Sequence, residues 1–169
     1  MKKGLLIGII ILITNSIIGQ DVKCPDWFLK TMIKYGLNKK YELFPFIKPG
    51  LLLSDFNGDK SIDCAALIIE KETKKKGILI IHSKIFKYYI FGAGKNFGNG
   101  SDNFGWLKMW KVYNNKTAYE TQFDKETGDI IGSKVINLIR PAIGVEDMKI
   151  AGGLIYWDGR KYIWIHQGE

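Results

Sequence analysis

The sequence has few of the residues that usually carry catalysis or bind a transition metal. It contains two histidines, His82 and His166, and two cysteines among its 169 residues. Neither histidine begins an H-E-x-x-H sequence or stands at the spacing of zinc ligands. The nucleophile sequence G-x-S-x-G is also missing. The common zinc-hydrolase and serine-hydrolase motifs are therefore excluded, and no acidic pair stands out as a catalytic one.

Phosphate-binding motifs are missing as well. Glycines are frequent over residues 92–105, but their spacing fits neither G-x-x-x-x-G-K-[ST] nor G-x-G-x-x-G, and no helical pattern follows. We interpret this stretch as a flexible surface loop. The net charge of +8 is spread along the chain, apart from a short run of lysines at 74–76. This diffuse charge suits solubility, and we expect no nucleic-acid partner.

No apolar run reaches the roughly 20 residues that a membrane-spanning helix needs. The chain does begin with two lysines, an apolar run over residues 5–13 and a small residue, Gly19. This order of charged, apolar and small residues is typical of a secretory signal peptide. We therefore predict a signal peptide at 1–19 and export to the periplasm, the cell surface or the medium. After cleavage, residues 20–169 would form one domain without a transmembrane span.

The two cysteines, Cys24 and Cys64, leave two possibilities open. An exported chain enters an oxidising compartment, where a disulfide between them is permitted. A free, buried cysteine is also common in protein cores. A bond would close a loop of about 40 residues and stabilise the fold by roughly 4 kcal/mol in the chain-entropy model.

The apolar pattern predicts an α+β fold in which an N-terminal helix precedes a mainly antiparallel sheet. Residues 25–35 have helical spacing and end before Gly36. From residue 51 onward, short apolar runs alternate with polar turns, as in hairpins. We expect strands at 51–56, 64–70, 77–82, 87–91, 106–112 and 134–139. A last hairpin joins 153–157 to 160–165 through Asp158-Gly159, a dipeptide favoured in tight turns.

One acidic loop, DFNGDKSID at residues 55–63, separates the first two predicted strands. Oxygen-bearing residues occupy its positions one, three, five, seven and nine, namely Asp55, Asn57, Asp59, Ser61 and Asp63. Alternate residues of a curled loop can point oxygens at one centre, and calcium takes six to eight oxygen ligands. We predict a structural calcium site there, with Ser61 contributing its carbonyl. The alternative is a solvated turn rich in Asp and Asn.

This loop resembles the DxNGDGxxD calcium loop of FG-GAP repeats. It differs from an EF-hand loop, which has Gly at position six and Glu at position twelve, where this chain has Lys60 and Ala66. It also departs from the FG-GAP pattern at Lys60, where a side chain is costly if φ must be positive. The mature chain also resembles small exported bacterial proteins with a single such loop, in the three stretches SDFNGDKSIDCAALI, WLKMWKV and IYWDGRKYIWIHQG. This resemblance implies a β-rich exported domain.

Tryptophan and tyrosine are frequent in the second half, at Trp106, Trp110, Tyr156, Trp157, Tyr162 and Trp164. Such rings either fill a core or form an exposed binding face. Two functions remain open on this basis. The first is a non-catalytic binding or inhibitor-type protein of the bacterial cell envelope, with a protein or glycan partner. The second is an envelope hydrolase, acting on glycans, with a carboxylate site that no motif reveals.

Overall fold

The computed structural model describes residues 24–148 and 151–168, so the predicted signal peptide at 1–19 lies outside the described residues. The described residues form two helices, two single turns of 3₁₀ helix and eleven strands. The helices are α1 (Asp26–Lys34) and α2 (Leu37–Lys40), and the 3₁₀ turns are Gly98–Gly100 and Phe104–Trp106. The strands are β1 (Tyr41–Leu43), β2 (Leu51–Ser54), β3 (Asp63–Glu70), β4 (Lys76–Ile81), β5 (Tyr88–Gly92), β6 (Met109–Tyr113), β7 (Thr117–Phe123), β8 (Ile130–Asn137), β9 (Ala142–Glu146), β10 (Ala151–Trp157) and β11 (Tyr162–Gly168).

The fold is mainly antiparallel β, with 46% of the described residues in strands and 13% in helices. The fold is therefore mainly β, and the α+β class that we predicted is corrected accordingly. Beyond residue 40 the described residues contain strands and two 3₁₀ turns but no further α-helix. None of the helices among the described residues is long and apolar enough to cross a membrane.

Two antiparallel sheets and a separate hairpin form stacked layers. The first sheet has the order β1-β3-β4-β5, with β2 also paired to β3. The second sheet has the order β11-β10-β9-β6, and β7 pairs with β8 alone among the described strands. Helix α1 covers the outer face of the first sheet, where Phe28 and Met32 pack with Ile68. The β7–β8 hairpin covers the outer face of the second sheet.

The central strands of the first sheet are apolar on both faces because both faces are covered. All eight residues of β3 are buried. Successive side chains of a strand point to opposite faces, so Cys64 and Ala66 face α1. Ala65 and Leu67 instead join the core between the two sheets. This two-sided burial explains the unbroken apolar runs in the sequence.

Three of the strands predicted before the last hairpin differ from the structure by two residues or more at one end or both. The strand predicted at 51–56 ends at Ser54, where the acidic loop begins to curl. The segment 106–112 starts at the end of the 3₁₀ turn Phe104–Trp106 and becomes β6 only at Met109. The strand predicted at 134–139 starts earlier, at Ile130, and ends at Asn137 as β8. The glycine-rich stretch 92–105 contains both 3₁₀ turns and packs against β11.

Candidate functional site

The acidic loop closes the hairpin between β2 and β3. These strands are in register from Leu51 opposite Ala66 to Ser54 opposite Asp63. The pairing fixes the two ends of the loop, and the buried side chain of Phe56 holds its first turn against the core. The loop therefore sits on a rigid base at one end of the first sheet.

Asp55 organises the first half of the loop through its carboxylate. Its Oδ1 accepts hydrogen bonds from the backbone N–H of Gly58 (2.7 Å) and Asp59 (3.0 Å). Its Oδ2 accepts one from the N–H of Lys60 (2.8 Å). The chain thus curls around this carboxylate, which leaves about one of its four lone-pair directions unused.

Asn57, Asp59 and Ser61 form the second half of the loop. The side chain of Asn57 accepts from the N–H of Asp59 (2.9 Å) and donates to Asp59 Oδ2 (3.1 Å). Asp59 Oδ1 accepts from the N–H of Ser61 (2.9 Å). Burial raises the pKa of Asp59, but hydrogen bonds from Asn57 and Ser61 outweigh it and leave the pKa below its usual value.

Asp63 lies at the base of the loop and is fully buried. Its Oδ2 accepts from the N–H of Phe56 (3.1 Å) and Asn57 (3.3 Å), and its Oδ1 accepts from the N–H of Ser83 (3.0 Å). Burial raises the pKa of Asp63 to about 6, and the charge of Asp59 adds to the rise while these N–H groups oppose it. A carboxyl group buried in this position is costly to ionise without a nearby positive charge.

The structure brings the five predicted ligand residues into one loop but does not aim their side chains at one centre. In the part of the chain that the structure describes, no group of three or more His, Cys, Asp or Glu side chains is placed to hold a metal ion. The carboxylates of Asp55, Asp59 and Asp63 accept backbone N–H groups instead. The donor set suits a hard cation such as calcium, whereas the side-chain orientations suit a hydrogen-bonded turn.

Two further residues shape the loop. Lys60 has φ of +67°, the left-handed conformation that favours glycine, so the departure from the FG-GAP pattern introduces backbone strain. Gly58 has φ of +80°, and a Cβ there would lie 2.5 Å from Arg140 Nε. Arg140 therefore packs directly on the loop although it is remote in sequence. No local pattern around Gly58 indicates this contact.

The sequence left open whether Cys24 and Cys64 are bonded, and in the structure both are free. The two thiols lie within hydrogen-bonding reach of each other. The hydrogen bond from Cys64 lowers the pKa of Cys24 against the opposing effect of burial.

The aromatic residues divide between core and surface. Trp110, Tyr156 and Tyr162 are buried, and the indole N–H of Trp110 donates to the Pro49 carbonyl at 2.6 Å. Trp106, Trp157 and Trp164 are half-buried. Two of these, Trp106 and Trp164, line a cavity of about 210 Å³. The other lining residues are Asn99, Asp147, Gly152 and His166.

His82 belongs to the core rather than to a ligand set. It is fully buried, its Nε2 lies 2.8 Å from Tyr162 Oη, and the rings of Tyr89 and Trp157 surround it. Burial lowers the pKa of His82 to about 4, so its imidazole is neutral at neutral pH.

The chain matches no protein-family model, no curated protein sequence and no solved structure. The functional inference therefore rests on the residues of the acidic loop and of the aromatic cavity.

Proposed function

We propose that this chain is an exported, non-catalytic binding or inhibitor-type protein of the bacterial cell envelope, and that its acidic loop holds a structural calcium ion. In this proposal the ion sets the shape of the loop. Contact with a protein or glycan partner falls on the neighbouring loops and on the half-buried aromatic side chains.

The buried carboxyl of Asp63 is the observation that carries the calcium proposal. A buried carboxyl with a raised pKa gains from a cation that lets it ionise. Asp55 and Asp59 lie in the same loop and supply further carboxylate oxygens. Each of the three carboxylates has about four lone-pair sites and uses two or three of them in hydrogen bonds. Small side-chain rotations would therefore free an oxygen from each residue for an ion.

Two features of the loop point to modest calcium affinity. The positive φ of Lys60 strains the backbone, and the guanidinium of Arg140 already places positive charge beside Gly58. Calcium sites in extracellular modules often have Kd values of roughly 10⁻⁴–10⁻³ M. We place this loop in that range, where the ion is bound outside the cell and lost in the cytoplasm.

A hydrolase that acts on glycans is the second candidate, because Asp147 and His166 line the same cavity as two tryptophans. Glycoside hydrolysis generally uses two carboxyl groups that flank the scissile bond. Among the described residues, Asp147 is the one carboxylate that lines the cavity. This single carboxylate favours binding over hydrolysis.

The test is to incubate the purified exported protein with peptidoglycan, soluble polysaccharides and ester substrates, in calcium and in chelator. We expect sedimentation with an insoluble envelope fraction, or inhibition of an envelope enzyme, without release of product. Reproducible turnover that persists after Asp59→Asn and is lost after Asp147→Asn would overturn the non-catalytic proposal and support the hydrolase.

A further inference from the structure

The turn between β4 and β5 presents two apolar side chains to solvent. Its sequence, SKIFKY at residues 83–88, places Ile85 and Phe86 between two lysines. Ile85 is 56% exposed and Phe86 is 40% exposed. Lys84 and Lys87 are exposed as well. The tip of the turn is therefore apolar, with a positive charge on each side.

Phe86 occupies a strained position that the rest of the turn holds in place. Its φ is +52°, a left-handed conformation that is rare for a bulky residue and favours glycine. The N–H of His82 donates to the Lys87 carbonyl at 2.9 Å, and the N–H of Ser83 donates to Asp63 Oδ1 at 3.0 Å. Phe86 belongs to none of the three core clusters. Core packing thus does not explain a phenylalanine here, and strained residues of this kind cluster at functional sites.

Two exposed tyrosines extend this surface toward the end of α1. Tyr35, which directly follows α1, and Tyr88, the first residue of β5, have ring centroids 5.2 Å apart. Both rings line a shallow hollow of about 550 Å³ together with Ile85 and Lys87. The end of α1 and the turn therefore form one surface. We call it the turn patch, and it consists of Tyr35, Lys84, Ile85, Phe86, Lys87 and Tyr88.

The charges of the turn patch are all positive. Lys84 and Lys87 belong to it, and Lys34 Nζ lies 5.5 Å from the centre of the Tyr35 ring. Neither residues 27–35 nor residues 83–88 include an Asp or a Glu. Lys84 also faces the acidic loop, where its charge stabilises the ionised form of Asp59. A surface that is apolar and positive complements a partner that is apolar and negative.

We propose that the turn patch docks on the surface of an anionic phospholipid bilayer. Ile85 and Phe86 enter the boundary between head groups and acyl chains, where apolar side chains of interfacial proteins are buried. The lysines reach the lipid phosphates along their apolar stems. The rings of Tyr35 and Tyr88 lie at the level of the head groups, where an apolar body with a polar tip is favoured.

A protein partner fits the turn patch less well. The centres of protein interfaces are depleted in lysine and enriched in arginine, whereas the cations beside this apolar tip are all lysines. The bilayer contact is a second binding activity. It is separate from the protein or glycan partner proposed above, and it does not require calcium in the acidic loop.

The test is flotation of the exported protein with vesicles of phosphatidylcholine alone, or of equal parts phosphatidylcholine and phosphatidylglycerol. All samples contain chelator, because calcium can bridge a protein and an anionic lipid. We expect binding to the phosphatidylglycerol vesicles that is at least about tenfold tighter than binding to the neutral vesicles. This binding should weaken at high salt, which screens the lysines.

Three variants locate the contact on the turn patch. Ile85→Ser and Phe86→Gly should each weaken binding to the anionic vesicles by about tenfold, because each removes an apolar side chain that lipid would bury. Phe86→Gly also relaxes a strained backbone, so its stability in urea should not fall. Lys87→Glu should weaken binding by about tenfold through its charge.

Matched controls lie on the β7–β8 hairpin. Ile131→Ser changes an isoleucine of β8 that is 67% exposed. Lys125→Glu reverses the charge of an exposed lysine in the β7–β8 turn. Both controls should bind the anionic vesicles as the wild type does.

Four results would contradict the proposal. Binding that Ile85→Ser, Phe86→Gly and Lys87→Glu leave unchanged would overturn the assignment to the turn patch. Equal binding to neutral and anionic vesicles would overturn the role of charge. Failure to bind either kind of vesicle would overturn the lipid contact and leave a protein partner. Competition by soluble glycerol phosphate at constant ionic strength would indicate a site for one head group and overturn the bilayer contact. None of these results bears on the calcium loop.

Discussion

The acidic loop and the aromatic cavity lined by Trp106 and Trp164 are built in opposite ways. The loop is local, because nine consecutive residues supply almost all of its hydrogen bonds. The cavity is lined by residues from five segments of the chain, which the pairing of the strands brings together. Three glycines, Gly98, Gly100 and Gly153, leave room there for the indole of Trp164. A local loop can exchange backbone partners for an ion by rotating a few side chains. The cavity, in contrast, depends on the pairing of distant segments and on the space that glycines leave for one ring.

The change with the largest expected effect on the cavity alone is to fill the space that Gly153 leaves for the indole of Trp164. Gly153→Ala places a Cβ 2.2 Å from Trp164, and overpacking of this kind typically costs about 1–3 kcal/mol and sometimes more. We expect about 3 kcal/mol of lost stability in urea unfolding.

Gly144→Ala is the matched control for this change. It also lies in the second sheet, and a Cβ there would meet its neighbours at an ordinary 3.7 Å. Its stability should change by less than about 1 kcal/mol. Equal losses of stability in the two variants would show that the Trp164 ring does not depend on the space at Gly153. Loss of the calcium response in Gly153→Ala would show that the loop and the cavity are not independent.

A change of pH should act on the loop through Asp63. The pKa of Asp63 is about 6 in the folded protein, above its ordinary 3.8, because burial disfavours the charged form. The contribution of Asp63 to the stability of the folded protein is therefore complete below pH 3.8 and is lost as the pH rises through about 6. Without calcium, lowering the pH from 7.5 to 4 should stabilise the wild type relative to Asp63→Asn by up to about 3 kcal/mol.

The comparison with Asp63→Asn removes the opposing effect of His82. The pKa of His82 is lowered by burial to about 4, so its contribution is present above pH 6.5 and is lost as the pH falls through 4. Both proteins contain His82, and this loss cancels between them. A difference in stability that does not vary with pH, measured in chelator, would show that Asp63 is not the titrating group.

The sequence was sufficient for features that a short stretch of chain determines. The hairpins β3–β4 and β10–β11 follow from their apolar runs and turn residues, and the structure confirms their antiparallel pairing. The acidic loop was also visible in the sequence, and the structure shows how its residues bond to one another.

Features that depend on distant contacts were not predictable in this way. Nothing near Gly58 indicates that Arg140 packs on it, and nothing near Trp164 indicates that Gly98 makes room for its ring. The short strand β9 (AIGVE) contains a glycine and follows a proline, which weakens its local signal. Its place between β6 and β10 is set by pairing on both sides.

The central claim, that the folded loop binds calcium, is tested most directly by thermal unfolding of the exported protein in chelator and in about 2 mM calcium. With a Kd of roughly 10⁻⁴–10⁻³ M, calcium at this concentration stabilises the folded state by on the order of 1 kcal/mol. This corresponds to a rise in Tm of about 2–5 °C for a domain of this size. Asp59→Asn should abolish the rise. Asp124→Asn should retain it, since Asp124 likewise accepts two backbone N–H groups but lies in the β7–β8 turn. A wild-type melting curve that is the same in calcium and in chelator would contradict the account.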